Sequence, residues 1–231
     1  MRFRANSSRT HVLLISAGAV TALLAGALVG CGTGSSNSQS SGLPNGTASL
    51  SQVQQGRAVV TSFGCSDCHN RGKDDTSDPN WLAGFIGSSG GQGPGAYQIG
   101  PFSTYARNLT PDMTTGLGGV TDLQVFNALR YGLDPMMTPS VIITSTTPGQ
   151  GNFPAAPVYL APPMPWPSTR HLSDSDTWAV VAYLKHGIKA VSNTVPNSQG
   201  PPDNWASSYT SVKIGPSTFP TYPDTNEQFT P

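Results

Sequence analysis

Cys65-Ser66-Asp67-Cys68-His69 is the stretch on which the reading of the fold turns. Two thiols two residues apart stand beside an imidazole, in a chain of 231 residues with 3 cysteines in all. A redox dithiol of this spacing belongs in a thioredoxin-like βαβ setting, whereas the residues before this motif predict a helix. Zinc needs a fourth ligand of Cys, His or Asp type, and the region expected to fold holds no further cysteine. A disulfide closed across two residues would be strained. The pattern C-x-x-C-H matches haem c attachment instead. Cys65 and Cys68 can reach two vinyl groups on one porphyrin edge, and His69 then comes under the iron. The motif predicts one covalently bound haem c with His69 as its proximal ligand.

Working outward, Ser49 caps a predicted helix from Leu50 to about Phe63, with Val53, Gly56, Val60 and Phe63 on one face. Glycine weakens a helix interior, so Gly56 implies another helix crossing closely there. A second helix is predicted from Thr121 to Tyr131, with Leu123, Phe126 and Leu129 inward and Gly132 as its stop. A third runs from Asp174 to His186, capped by Ser173 with Asp176 three residues on and ended by Gly187. Val180–Leu184 is apolar almost all round, which predicts deep burial. The intervening stretches, 71–119 and 134–169, are rich in Gly, Asp, Ser and Pro and read as loop, with one short strand possible at Val141–Ile143.

The N-terminal segment carries Arg2, Arg4 and Arg9 and then an apolar run from Val12 to Val29, the outline of an export signal. It ends in Leu28-Val29-Gly30-Cys31, similar to the lipobox of bacterial lipoproteins. Residues 1–30 are therefore expected to be a signal peptide, and Cys31 the lipidated residue that anchors an exported protein to a membrane, facing the periplasm or the cell exterior. Acyl chains contribute about 0.8 kcal/mol per buried methylene, and two or more anchor durably. Residues 31–48 are rich in Gly and Ser and read as a tether. Its roughly 17 residues would typically span about 20–25 Å. Residues 49–195 form the expected folded domain, and the Pro-rich residues 196–231 an extension lying over its surface.

Only 36% of residues are apolar and 10% charged, while Gly numbers 26 and Pro 21. Such a chain makes much loop and a thin core, to which a buried cofactor would add apolar volume. The 12 Lys/Arg balance 12 Asp/Glu. Loss of the three leader arginines, with no acidic residue among them, leaves 9 against 12. No basic stripe of the kind phosphate binding needs is present, so nucleic acid is excluded as a partner.

Tyr105-Ala106-Arg107-Asn108-Leu109-Thr110-Pro111-Asp112, followed by Thr115-Gly116-Leu117-Gly118, resembles the NLTPD…TGLG signature of certain bacterial c-type cytochromes. These include single-haem electron carriers and the cytochrome subunits of membrane-bound alcohol and gluconate dehydrogenases. The likeness continues through Ala128-Leu129-Arg130, Ala161-Pro162-Pro163-Met164-Pro165-Trp166-Pro167, Leu172-Ser173-Asp174 and Ala182-Tyr183-Leu184, covering about Gly56 to Val195. It implies a mainly α cytochrome c fold, with long Gly/Pro-rich loops around one covalent haem. It also implies that the first and last helices cross near Gly56 and Tyr183, and that Met164 is the distal iron ligand.

The residues themselves agree on Met164, because Pro163 and Pro165 restrict the backbone on either side of its thioether. A soft sulfur favours Fe(II) and raises the reduction potential. Met136, Met137 and Met113 are rival sulfurs, and His171 or His186 would give bis-histidine ligation. The second ring nitrogen of His69 needs a carbonyl partner; by resemblance Gly100-Pro101 supplies it, with Gly93-Pro94 as rival, and an insertion at 80–96 loops out. Arg107 and Trp166 are candidates to bond the haem propionates.

The resemblance implies an electron carrier rather than an enzyme, cycling Fe(III)/Fe(II) between redox partner proteins. The alternative is a cytochrome subunit of a membrane-associated dehydrogenase, with 144–161 and the C-terminal extension as docking surface. A haem sensor or peroxidase is a third possibility, and requires an open sixth position on the iron.

Overall fold

Ser49, in extended backbone (φ −73°, ψ 154°), starts the first helix by accepting the Gln52 N–H on its Oγ. The computed structural model describes residues 48–198; the leader, Cys31, most of the tether and most of the C-terminal extension lie outside them. Helix α1 is Leu50–Ser62, and Gly64 in the left-handed region (φ 63°) turns the chain into the short helix α2, Cys65–His69. A hairpin follows, β1 Ala96–Ile99 against β2 Phe102–Tyr105. After a 3₁₀ turn at Leu117–Gly119 come α3 (Asp122–Tyr131), α4 (Trp166–Thr169) and α5 (Asp174–Ala182). Among the described residues no helix is long and apolar enough to cross a membrane.

Helix α3 starts one residue later than expected, with Thr121 in a reciprocal cap: Thr121 accepts the Gln124 N–H, and the Gln124 side chain accepts the Thr121 N–H. Gly132, at φ 69°, ends it in the left-handed conformation. Ser173 likewise caps α5 by accepting the Asp176 N–H at 3.0 Å. The α-helical hydrogen bonding does not reach His186, however; at Tyr183–Gly187 it widens into a π turn. From this turn Lys185 Nζ donates to the carbonyls of Leu117 (2.6 Å) and Val120 (2.5 Å), tying the end of α5 to the 3₁₀ turn.

Helices α1 and α5 meet at Gly56. A Cβ at that position would stand 1.8 Å from the Ala179 carbonyl oxygen and 2.8 Å from Tyr183 Cβ, so the approach is of backbone on backbone. Val60, Val180, Val181 and Leu184 are buried in the core around this crossing. Phe63 does not join them. It is the C-cap residue of α1 and stands 43% exposed, because the chain has left the helix before the next inward position.

Two further expectations are corrected. Residues 80–96 do not simply loop out: Trp81, Leu82, Ala83 and Phe85 are buried, and only the part beyond Phe85 is largely exposed. Leu82 holds φ 57° while completely buried, a conformation unfavourable for a bulky residue that tight surroundings sustain. Val141–Ile143 forms no strand. Its carbonyls are taken by side chains, Asn127 Nδ2 donating to Val141 and Tyr131 Oη to Ile143, so no ladder is needed to satisfy them. Ile143 instead packs with Leu133 and Phe153 in a satellite cluster.

Trp81 Nε1 donates to Tyr183 Oη at 2.9 Å inside the main core. Tyr183→Phe leaves this buried N–H unpaired, which costs about 1–3 kcal/mol. A lower denaturant midpoint is expected, and an unchanged one would show that water replaces the hydroxyl.

Candidate functional site

Three positions of the motif occupy α2. Cys65 and Cys68, three apart, lie on one side of this turn of helix. Both are partly buried and neither is in a disulfide. Burial pushes the Cys65 thiol up to about 11, opposed by a backbone hydrogen bond and assisted to a lesser degree by Cys68 and Asp67. Tyr97, on β1, donates its hydroxyl to Cys68 Sγ at 2.7 Å. Burial first, and then this bond, raise the Tyr97 pKa. The hairpin lies close behind: a Cβ on Gly95 would come 2.8 Å from the Cys68 carbonyl oxygen.

His69 is 9% exposed, and its Nδ1 is 2.7 Å from the Arg107 carbonyl oxygen. A carbonyl only accepts, so Nδ1 carries the proton and Nε2 keeps its lone pair. Burial lowers the His69 pKa and so favours the neutral ring, an effect that the bond to Arg107 opposes in part. A buried, neutral imidazole oriented through one nitrogen is the form a metal ligand takes. The acceptor is not Gly100. Gly100, at φ 57°, and Pro101 are the exposed turn of the hairpin, closed by the Ile99–Phe102 pair. Gly93-Pro94 is likewise not the acceptor.

Met164 lies in a turn in which its N–H donates to Ala161 and its carbonyl accepts from Trp166. Trp166 is buried and stacks on Tyr159 (centroids 5.8 Å apart, planes 5°). It also covers Gly132, where a Cβ would stand 2.2 Å from the indole. Thr169 Oγ1 donates to the Leu129 carbonyl at 2.9 Å, so the segment after Met164 is fastened to the end of α3. Met164 is half-buried against the main core, as is Cys65. Met113, Met136 and Met137 are 73%, 72% and 63% exposed. His186 faces Asp122, Nε2 to Oδ2 3.3 Å, and His171 is half-buried just ahead of α5. The Arg107 guanidinium donates to the Pro196 carbonyl at 3.0 Å.

Tyr97 and the Arg107 carbonyl are parts of this site that the sequence did not announce. A tyrosine in a Gly-rich loop carries no positional signal, and every residue has a carbonyl. Among the described residues no three His, Cys, Asp or Glu side chains converge as a metal-binding group. The donor set of two thiols and a neutral imidazole on one short helix fits a covalently held haem.

In sequence the chain is similar to cytochrome subunits of dehydrogenases. No family model matches it. It is similar to the fructose dehydrogenase cytochrome subunit of Gluconobacter japonicus, 26% identical over 149 residues, 64% of this chain and 24% of that protein. It is 28% identical over 149 residues to the gluconate 2-dehydrogenase cytochrome c subunit of Pantoea cypripedii, covering 64% of this chain and 26% of the relative. Over 87 residues it is 31% identical to the cytochrome c subunit of the quinone alcohol dehydrogenase of Gluconacetobacter polyoxogenes, 38% of this chain and 14% of the relative. The chain thus spans about a quarter of the length of the first two of these relatives.

Proposed function

We propose that this protein is a single-haem electron carrier of the cytochrome c fold. Cys65 and Cys68 hold the haem c, His69 ligates the iron on one face and Met164 on the other. The observation that carries the reading is the buried His69, ending a helix with two thiols and held through Nδ1 at 2.7 Å from a backbone carbonyl oxygen. Bound there, the haem supplies reversible one-electron Fe(III)/Fe(II) cycling. The chain's own part is to keep the imidazole oriented, place a thioether opposite it and exclude water with the core around α1, α3 and α5. The exposure of the other methionines at 113, 136 and 137 favours Met164. The crossing of α1 and α5 at Gly56 supports the fold assignment.

Kinship to the cytochrome subunits of fructose, gluconate and alcohol dehydrogenases supports electron transfer, and favours a second reading as the non-catalytic subunit of such a complex. In both readings Cys31 carries the lipid that holds an exported protein at a membrane, and the partners are redox proteins.

Coexpression with haem c maturation machinery tests the proposal. The mature protein is expected to retain one haem through acid–organic extraction. Cys65→Ala or Cys68→Ala leaves one thioether, and the double variant is expected to release all of its haem. Haem resisting extraction from the double variant would overturn the attachment site.

A further inference from the structure

Residues 191–198 run across the back of the loop that supplies the acceptor for His69. Asn193 Nδ2 donates to the Ala83 and Phe85 carbonyls at 2.7 and 2.9 Å. Asn108 Nδ2 donates to the Val191 carbonyl at 2.8 Å, and Arg107 Nη1 to the Pro196 carbonyl at 3.0 Å. The backbone next to Arg107 is therefore fastened to this segment on both sides of the peptide whose oxygen meets His69. Gly84 N–H donates to the His69 carbonyl at 2.8 Å. A Cβ on Gly84 would fall 2.7 Å from the Arg107 oxygen, so that oxygen is closely bounded there. Asn193 binds the carbonyls flanking Gly84 in sequence and so joins the two walls.

We propose that residues 191–198 are a positioning strap, with Asn193 and the Arg107 side chain as its positioning residues, holding the Arg107 carbonyl against His69 Nδ1 and so setting the reduction potential. The inference rests on the haem reading above. A firm Nδ1–H···O bond gives the imidazole more anionic character and makes it a better donor to Fe(III), which lowers the potential. Loosening the strap weakens that donation and raises the potential.

The test uses full-length, haem-loaded Asn193→Ala and Arg107→Ala, the second keeping the backbone carbonyl and altering an exposed side chain. Both are expected to retain covalent haem and unchanged axial ligands. Their midpoint potentials shift upward, and exchange of the His69 Nδ1–H with deuterium, followed by NMR, accelerates roughly tenfold, the scale of one lost hydrogen bond. Arg107→Lys is expected to return part of both effects. Potentials and exchange rates equal to wild type, with only a lower denaturation midpoint, would overturn the strap while leaving the haem reading in place. A wild-type protein that attaches no haem would overturn both.

Discussion

Met164→Ala is expected to open the iron's sixth position. The near-infrared band of a methionine sulfur on ferric iron should vanish, the spectrum should become that of high-spin or water-ligated iron, and the reduced protein should bind carbon monoxide rapidly. The reduction potential should fall, because a soft thioether stabilises Fe(II) and water does not. Axial ligands span roughly 0.8 V in haem proteins, so the shift should stand out against any surface substitution. Met136→Ala and Met137→Ala serve as controls, since side chains 72% and 63% exposed are poor candidates for a desolvated ligand. A Met164→Ala spectrum indistinguishable from wild type would remove Met164 from the iron and turn attention to His171 or His186. The same variant separates a carrier, whose sixth site is closed by the protein, from a sensor or peroxidase, whose site is already open.

Gly56→Ala is expected to destabilise the protein, against the local preference of the helix. In an exposed helix interior the change would gain about 1 kcal/mol. Here the new methyl would sit 1.8 Å from the Ala179 carbonyl oxygen and 2.8 Å from Tyr183 Cβ. A main-chain oxygen inside α5 cannot rotate away as a side chain can, so the two helices must separate. Overpacking of this kind costs typically about 1–3 kcal/mol and occasionally more, a large share of a total stability of about 5–15 kcal/mol. The denaturant midpoint should therefore drop, and Gly56→Leu should prevent accumulation of folded protein. A rise in midpoint for Gly56→Ala would mean that α1 and α5 do not cross there.

These two predictions draw on features of unequal legibility. Gly56 stood out in the sequence because glycine is a poor helix former placed on an otherwise apolar face, and only close approach rationalises it. The caps Ser49 and Ser173 were equally readable, since each bonds a backbone N–H within three residues, whereas Thr121 is a cap and not the first helical residue that the sequence suggests. Met164 was distinguishable by its flanking prolines, but its separation from Met136 and Met137 in burial required the folded chain. The hairpin at 96–105 is not legible in the sequence: its turn, Gly100-Pro101, is equally a candidate carbonyl partner for His69. A Gly-Pro pair suits either role, and nothing local distinguishes them. The π turn at 183–187 was hidden for a related reason: Lys185 is bound by carbonyls 65 and 68 residues earlier in the chain.

The sequence by itself determined what depends on short spacing: two thiols and an imidazole within five residues, helix starts at hydroxyl caps, stops at Gly132, and a glycine where two helices meet. Tertiary structure alone decided which groups complete the site. The Arg107 oxygen faces His69, Tyr97 reaches Cys68, and Asn193 joins the 83–85 segment to the loop behind the histidine. Caps and motifs act through neighbours that covalent geometry already places within reach. A carbonyl acceptor is the same chemical group at every residue, so its identity follows only from which distant loop packs against the ring.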